Sequence, residues 1–126
     1  MSAPIPIREF TITARSTETF GRVQCDAREH HFIVDGPKYN NCPGEELTPP
    51  ELFLTAAASC GVELVQVIAK EQGEKVPTVR VDVRGTVDRS RQKRTDVTVF
   101  NSVTMEFSVS GDSALAARLV EGYRRR

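Results

Sequence analysis

The chain lacks a net charge. Its seventeen basic residues balance seventeen acidic ones over 126 residues. Without a field of one sign, nothing draws it to nucleic acid or to an acidic membrane surface. Long apolar runs are missing too, and none approaches the roughly 18 residues that cross a membrane. The opening MSAPIPIREF has neither the cationic nor the apolar region of a secretory signal. Cysteine is scarce and odd in number: Cys25, Cys42 and Cys60. That excludes a dense disulfide framework and points to free thiols in a reducing cytoplasm. Cys25, His30, His31 and Cys42 match no common zinc spacing, so no metal is expected, and nothing calls for a cofactor. Internal repeats and low-complexity segments are absent as well. What remains is one soluble domain over residues 1–126, 39% apolar and 27% charged.

One stretch organises that domain, TPPELFLTAAASCGVELVQVIAKEQG, from Thr48 to Gly73. Thr48 is an N-cap, and Glu51 three residues later completes a capping box. Pro49 falls at the first helical position, where its missing N–H costs nothing. Gly73 is the C-cap and Pro77 forbids continuation. A helix is therefore expected over about Pro49–Gln72. Its first half is apolar almost all round, the mark of a helix buried on more than one side. Ser59, Glu63, Gln66 and Lys70 form the one polar stripe, whereas Phe53, Ala57, Cys60, Leu64 and Val67 share an apolar face. A single cysteine thus sits near the middle of a central helix. The small residues Ala56–Ser59 let another backbone come close, and a monomer of this size would leave part of the helix uncovered.

Before that helix, alternation predicts a strand over Ile7–Ala14, after an irregular start at Ser2–Pro6. Further strands are expected at Phe20–Cys25 and His31–Val34. Asp35-Gly36-Pro37 is turn chemistry, and Lys38–Leu47 reads as a polar loop. After the helix, Val79, Val81, Val83 and Val87 alternate with charged residues, predicting a strand with one buried face. Arg89–Thr95 is a basic connection, read as a solvated hairpin tip. Val97, Val99, Val103, Met105, Phe107 and Val109 hold the odd positions of a second long strand, with a bulge or bend at Asn101. Asp112 or Ser113 caps a last helix bearing Leu115, Leu119 and Tyr123 on one face. The order βββ-α-ββ-α defines an α+β protein.

The segment HFIVDGPKYNNCPGEELTPPELFLTAAASC resembles the signature region of the OsmC/Ohr family. That signature runs from a strand ending in a D-x-P turn, through a loop, to a P-x-E-L helix that carries a cysteine. The order of elements over the rest of the chain also fits. The resemblance implies an intertwined homodimer, with two central helices packed between strands of both chains. It implies a thiol peroxidase acting on organic hydroperoxides and depending on an external thiol reductant. Carried over residue by residue, it makes Cys60 the peroxidatic nucleophile. Glu51 matches the P-x-E-L glutamate, although the characterised peroxidases place their assisting glutamate one residue earlier, at Pro50 here. Arg22 and Arg28 are the candidates for the assisting arginine. The loop has Asn40-Asn41 where the family has Gly-Gly. No cysteine follows Cys60, whereas the family continues past its last helix with a Cys-Pro step and a final strand; either the sequence is cut before that point or this member has lost the resolving thiol.

Other readings stand beside these. A cysteine on an apolar helix face is often a small core residue. The capping box explains Glu51 without catalysis. Arg22 and Arg28 read as strand-edge and turn charges. The alternative function is therefore a non-catalytic or degenerate protein of this fold, binding a small apolar ligand.

Overall fold

The computed structural model describes residues 4–126. Ser2 and Ala3 of the expected irregular start lie outside the described residues, and Pro4–Ile12 has no regular secondary structure. The chain divides into two compact units, one ending at Leu52 and the other starting at Phe53.

The first unit is an antiparallel meander of β1 (Thr13–Ser16), β2 (Arg22–Ala27) and β3 (His30–Asp35). The strand expected over Ile7–Ala14 is thus displaced to Thr13–Ser16. The alternation of Phe10 and Ile12 is real, but no described strand lies beside them, and a strand needs a partner for its backbone. Strand β2 sits two residues later than expected, and β3 runs one residue further at each end. Register pairs Arg22 with Asp35, Gln24 with Ile33 and Asp26 with His31. Those residues share one face, and Cys25 and Val34, both buried, lie on the other. Arg28 and Glu29 make a two-residue hairpin loop, with Arg28 at φ 56°. A short 3₁₀ turn at Lys38–Asn40 starts the polar loop.

Helix α1 spans Pro49–Glu71. Both expected caps are present. The Glu51 carboxylate accepts from the Thr48 N–H (3.0 Å) and from the Thr48 hydroxyl (2.7 Å). At the other end Gly73, at φ 71°, donates to the Lys70 carbonyl and Glu74 donates to that of Ala69. This is the paired 6→1 and 5→2 pattern of a glycine-terminated helix. By length and composition alone α1 is apolar enough to cross a membrane, with mean hydropathy 1.8 over its best window. Counting uninterrupted apolar residues misses this, because the average absorbs Glu63.

The second unit packs α1 and α2 (Ser113–Arg124) against a two-stranded ribbon, β4 (Val79–Thr86) and β5 (Ser102–Val109). Val65, Ile68 and Ala69 of α1 close on Leu119 of α2, with Val79, Phe107, Val109, Leu115 and Tyr123 around them. Asp112 caps α2, its carboxylate accepting from the Ala114 N–H. Val97 and Val99 precede β5 rather than belonging to it. The ladder ends because Asn101 donates to Thr86, one step out of the register that pairs Thr86 with Ser102. The buried side of α1 is Gly61, Val65, Ile68 and Ala69. The face expected to be buried is instead half-open, with Phe53 60% and Val67 36% exposed. One ribbon and one helix cover only one side of an all-round apolar helix.

Candidate active site

Cys60 lies on this open side of α1 and is exposed, a free thiol rather than a core residue. At 3.6 residues per turn, Phe53 and Val67, seven residues before and after, fall on the same side. Ala57 and Leu64, half-buried, flank it along the helix. The thiol therefore stands in an apolar strip. Phe53 is held there by Phe100, stacked at 5.5 Å with an interplanar angle of 24°. Phe100 in turn lies over Gly85, where an added Cβ would meet the ring at 2.6 Å. On the far side Gly61 admits Phe107 and Met105, which would be 3.1 Å and 3.3 Å from a Cβ. Ser59 donates to the Ala56 carbonyl (3.2 Å) and so turns its hydroxyl back to the helix.

The connection that delivers Phe100 is not a loose tip. The Asn101 side-chain oxygen accepts from the Asp88 N–H (2.6 Å) and from Gln92 Nε2 (2.9 Å), and its amide donates to the Arg91 carbonyl (2.9 Å). Gln92 also accepts from the Val99 N–H (2.8 Å). Asp88 caps the 3₁₀ turn Arg89–Arg91, its carboxylate accepting from Ser90. These bonds fix the basic connection and hold Phe100 at its base.

The other expected site residues belong to the first unit or to the start of α1. Glu51 lies nine residues before Cys60, two and a half turns, or about 14 Å along the axis and on the opposite side of the helix. Its carboxylate is held below the usual range, first by the Thr48 hydroxyl and then by the Thr48 N–H. Glu51 and Cys60 of one chain therefore point apart. Arg22 makes a two-point contact with Asp35, Nε to Oδ1 at 2.8 Å and Nη2 to Oδ2 at 2.9 Å, and also reaches Glu45 at 3.2 Å. Asp35 is fully buried and also accepts the Glu45 and Glu46 N–H groups, each at 3.0 Å. The carboxyl is held well below its usual range, chiefly by Arg22, and the guanidinium is raised chiefly by Asp35. Arg28 occupies its hairpin turn beside Phe10 and Ile12.

Asp35 is the residue that sequence reasoning missed. The Asp35-Gly36-Pro37 sequence has turn chemistry, yet the four bonds that the Asp35 carboxylate accepts anchor the loop that leads to α1. The one signal was a carboxylate at the end of a strand whose register partner is an arginine. Cys42 belongs to the same construction. Its Sγ lies where a Cβ on Gly36 would be 2.5 Å away, and it donates to the Asn40 carbonyl at 3.6 Å. Among the described residues, no three of histidine, cysteine, aspartate and glutamate are grouped to hold a metal.

A long capped helix with an open cysteine, a three-stranded meander before it and a ribbon and helix after it define an α+β protein of the OsmC-like class. Residues 42–126 match the family described as OsmC-like protein, and the chain belongs to that family. An OsmC-like protein from Mycoplasma pneumoniae superposes with a TM-score of 0.77 at 14% identity, over 94% of this chain and 82% of its own. An organic hydroperoxide resistance protein OsmC from Legionella pneumophila gives 0.73 at 14% identity, over 96% and 85%. An organic hydroperoxide resistance protein from Elizabethkingia anophelis, with thiocyanate bound, gives 0.70 at 15% identity, over 95% and 84%. At such identities the likeness is one of fold. No curated protein matches the sequence.

Proposed function

We propose that this chain is a thiol-dependent organic hydroperoxide reductase with Cys60 as its nucleophile. The observation that carries the reading is the exposed thiol of Cys60 at the centre of α1, in an apolar strip that includes Phe53, Leu64 and Val67. The Cys60 thiolate attacks the distal peroxide oxygen. The O–O bond breaks, the alkoxide takes a proton and leaves as the alcohol, and Cys60 becomes a sulfenic acid. An external thiol then displaces water from the sulfenic acid, and a second thiol releases the mixed disulfide and restores Cys60. A free thiol is mostly protonated at neutral pH, so a cation beside it favours the reactive form. Arg22 and Arg28 remain the candidates, and Glu51 would serve from the opposite side of its own helix only by meeting a partner chain's cysteine. The names of the Legionella and Elizabethkingia proteins support the substrate class.

The same reading makes the protein a cytoplasmic homodimer working as one domain, with neither nucleic acid nor membrane as a partner. Three free cysteines suit a reducing compartment. The open side of α1 is the apolar surface that a second copy would cover.

A second reading is a non-catalytic member of the family that binds a small apolar ligand. It is favoured by Arg22, whose guanidinium is already taken by Asp35 and Glu45. Peroxide consumption decides between them. With cumene hydroperoxide and dithiothreitol, the wild-type chain is expected to turn over, faster than with hydrogen peroxide, and Cys60→Ser to be inactive with unchanged circular dichroism. Equal activity of Cys60→Ser would remove Cys60 as the nucleophile, and no turnover by the wild-type chain would leave the ligand-binding reading standing.

A further inference from the structure

The chain has no net charge, but its charges are unevenly placed in the second unit. The connection between β4 and β5 carries Arg89, Arg91 and Lys93 within five residues. All three are exposed, and among the described residues none has an ion-pair partner. The carboxylates of the same connection are engaged elsewhere. Asp88 accepts from the Ser90 N–H (2.9 Å) and hydroxyl (2.6 Å), and Asp96 is bonded to Arg94. The segment is also fixed. Gln92, half-buried, donates to the Asp88 and Val99 carbonyls (3.0 and 3.1 Å), and Asn101 donates to the carbonyl of Arg91 itself. A segment already ordered loses little entropy when it meets an ion.

Register places these cations relative to Cys60. Gly85, paired with Val103, lies against Leu54, whereas Gly61 lies against Met105 and Phe107 further along the ribbon. The ribbon therefore runs along α1 with its connection at the N-terminal end of the helix. Phe100, at the base of that connection, stacks on Phe53. Cys60 is seven residues further on, about 10 Å along the same side. One turn beyond it, about 5 Å, stands Glu63, exposed and without an ion-pair partner among the described residues. The apolar strip around the thiol is thus positive at its Phe53 end and negative past Cys60. Three positive charges outweigh one negative. Small anions are concentrated over the strip, their charged ends toward Phe53, and small cations are depleted. The Debye length at 0.1 M salt is also about 10 Å, so the field reaches the sulfur and is sensitive to salt.

An uncharged alkyl hydroperoxide is indifferent to such a field. The thiol that follows it is not, because it attacks as a thiolate and carries its own charged groups. Resting on the peroxidase reading of Cys60, we propose that the external reductant is a small anionic thiol bearing carboxylates, drawn to Cys60 by the Arg89–Lys93 connection. Its thiolate attacks the Cys60 sulfur of the sulfenic acid. An S–S bond forms, the S–O bond breaks, and the hydroxide leaves as water with the proton of the thiol. A second molecule attacks the reductant's sulfur in the mixed disulfide, and Cys60 leaves as a thiolate. Two thiols are oxidised to one disulfide, and the sulfenic acid is reduced by the same two electrons.

The test needs no peroxide. The reduced full-length chain is treated separately with oxidised glutathione, which is anionic, cystamine, which is cationic, and 2-hydroxyethyl disulfide, which is neutral. Mixed-disulfide formation at Cys60 is timed by peptide mapping, and each rate is divided by that of free cysteine with the same disulfide. The ratio of oxidised glutathione to cystamine is expected to fall about tenfold in the variant Arg89→Glu/Arg91→Glu/Lys93→Glu, with the neutral disulfide unaffected. Lysine at 89 and 91 should keep the ratio, and salt at about 1 M, where the Debye length is about 3 Å, should erase the difference. An equal ratio in the wild-type chain and the charge-reversed variant overturns the proposal. So does a neutral disulfide that slows as much as the anionic one, since the connection would then act on the shape of the site. A charge-blind Cys60 that still forms a sulfenic acid with cumene hydroperoxide rejects this inference alone. A charge-selective Cys60 that forms none rejects the peroxidase reading and leaves the anion preference in place.

Discussion

Asp35 shows how much one side chain can organise. Its carboxylate accepts from Arg22 and from the Glu45 and Glu46 N–H groups, so strand β2, strand β3 and the loop into α1 are joined at one buried point. A carboxyl whose folded pKa is depressed stabilises the fold at pH values above its unfolded pKa, near 3.9. That contribution is lost as pH falls below it. Asp26 acts in the same direction, its carboxyl lowered to about 2, first by His31. Urea midpoints are therefore expected to be flat from neutral pH to about pH 5 and to fall steeply below pH 4. Asp35→Asn should be less stable at pH 7 and lose much of that acid dependence; an undiminished acid slope would place the proton uptake elsewhere. Arg28 is a second residue-scale case. At φ 56° a side chain strains the backbone by about 1 kcal/mol, which glycine removes. If Arg28 serves only its turn, Arg28→Gly raises stability by up to about 1 kcal/mol and leaves peroxide turnover unchanged. A fall in kcat/KM would assign Arg28 to the active site instead.

At the scale of elements, legibility followed how locally each element is specified. Thr48, Glu51, Pro49 and Gly73 are read from neighbours in sequence, and α1 begins and ends where they place it. The alternating valines of β4 and the Asp112 cap of α2 are local in the same sense. The misplaced elements depend on distant residues. Phe10 and Ile12 alternate as a strand would, but pairing decides, and it starts only at Thr13. Val97 and Val99 continue the pattern of β5, yet the side chain of Asn101 captures the backbone first. The candidate site divides likewise. The position of Cys60 in the middle of α1 is local to its helix, whereas the anchoring of Arg22 by Asp35 needs the register of two strands. Which side of α1 is covered was illegible because the helix is apolar all round. The covered side makes a direct prediction. Leu119 is fully buried against Val65, Ile68 and Ala69, so Leu119→Ala should cost about 2–4 kcal/mol in denaturant titration. A loss below 1 kcal/mol would mean that α2 is not a fixed wall of this core.

For the whole molecule, the proposed activity raises the question of what would receive an oxidised sulfur at Cys60. Within residues 1–126 the other thiols are Cys25 and Cys42. Cys25 is buried on the inner face of β2. Cys42 is packed against Gly36 and bonded to the Asn40 carbonyl, inside the loop that Asp35 anchors. A disulfide needs Cα atoms within about 7 Å and a narrow dihedral range. To offer its sulfur, Cys42 would have to leave that seat and loosen the loop leading into α1. The proposed enzyme is therefore expected to hold its oxidised state as sulfenic acid until an external thiol arrives. One equivalent of cumene hydroperoxide, followed by dimedone and peptide mapping, should place the adduct on Cys60 and leave Cys25 and Cys42 as thiols. Excess peroxide without a reductant should drive Cys60 of the 126-residue chain to the sulfinic acid, because Cys25 is buried and Cys42 is held in its own loop. A quantitative Cys42–Cys60 disulfide would overturn this expectation, and the Asp35 anchor would then be a hinge that opens in every turnover.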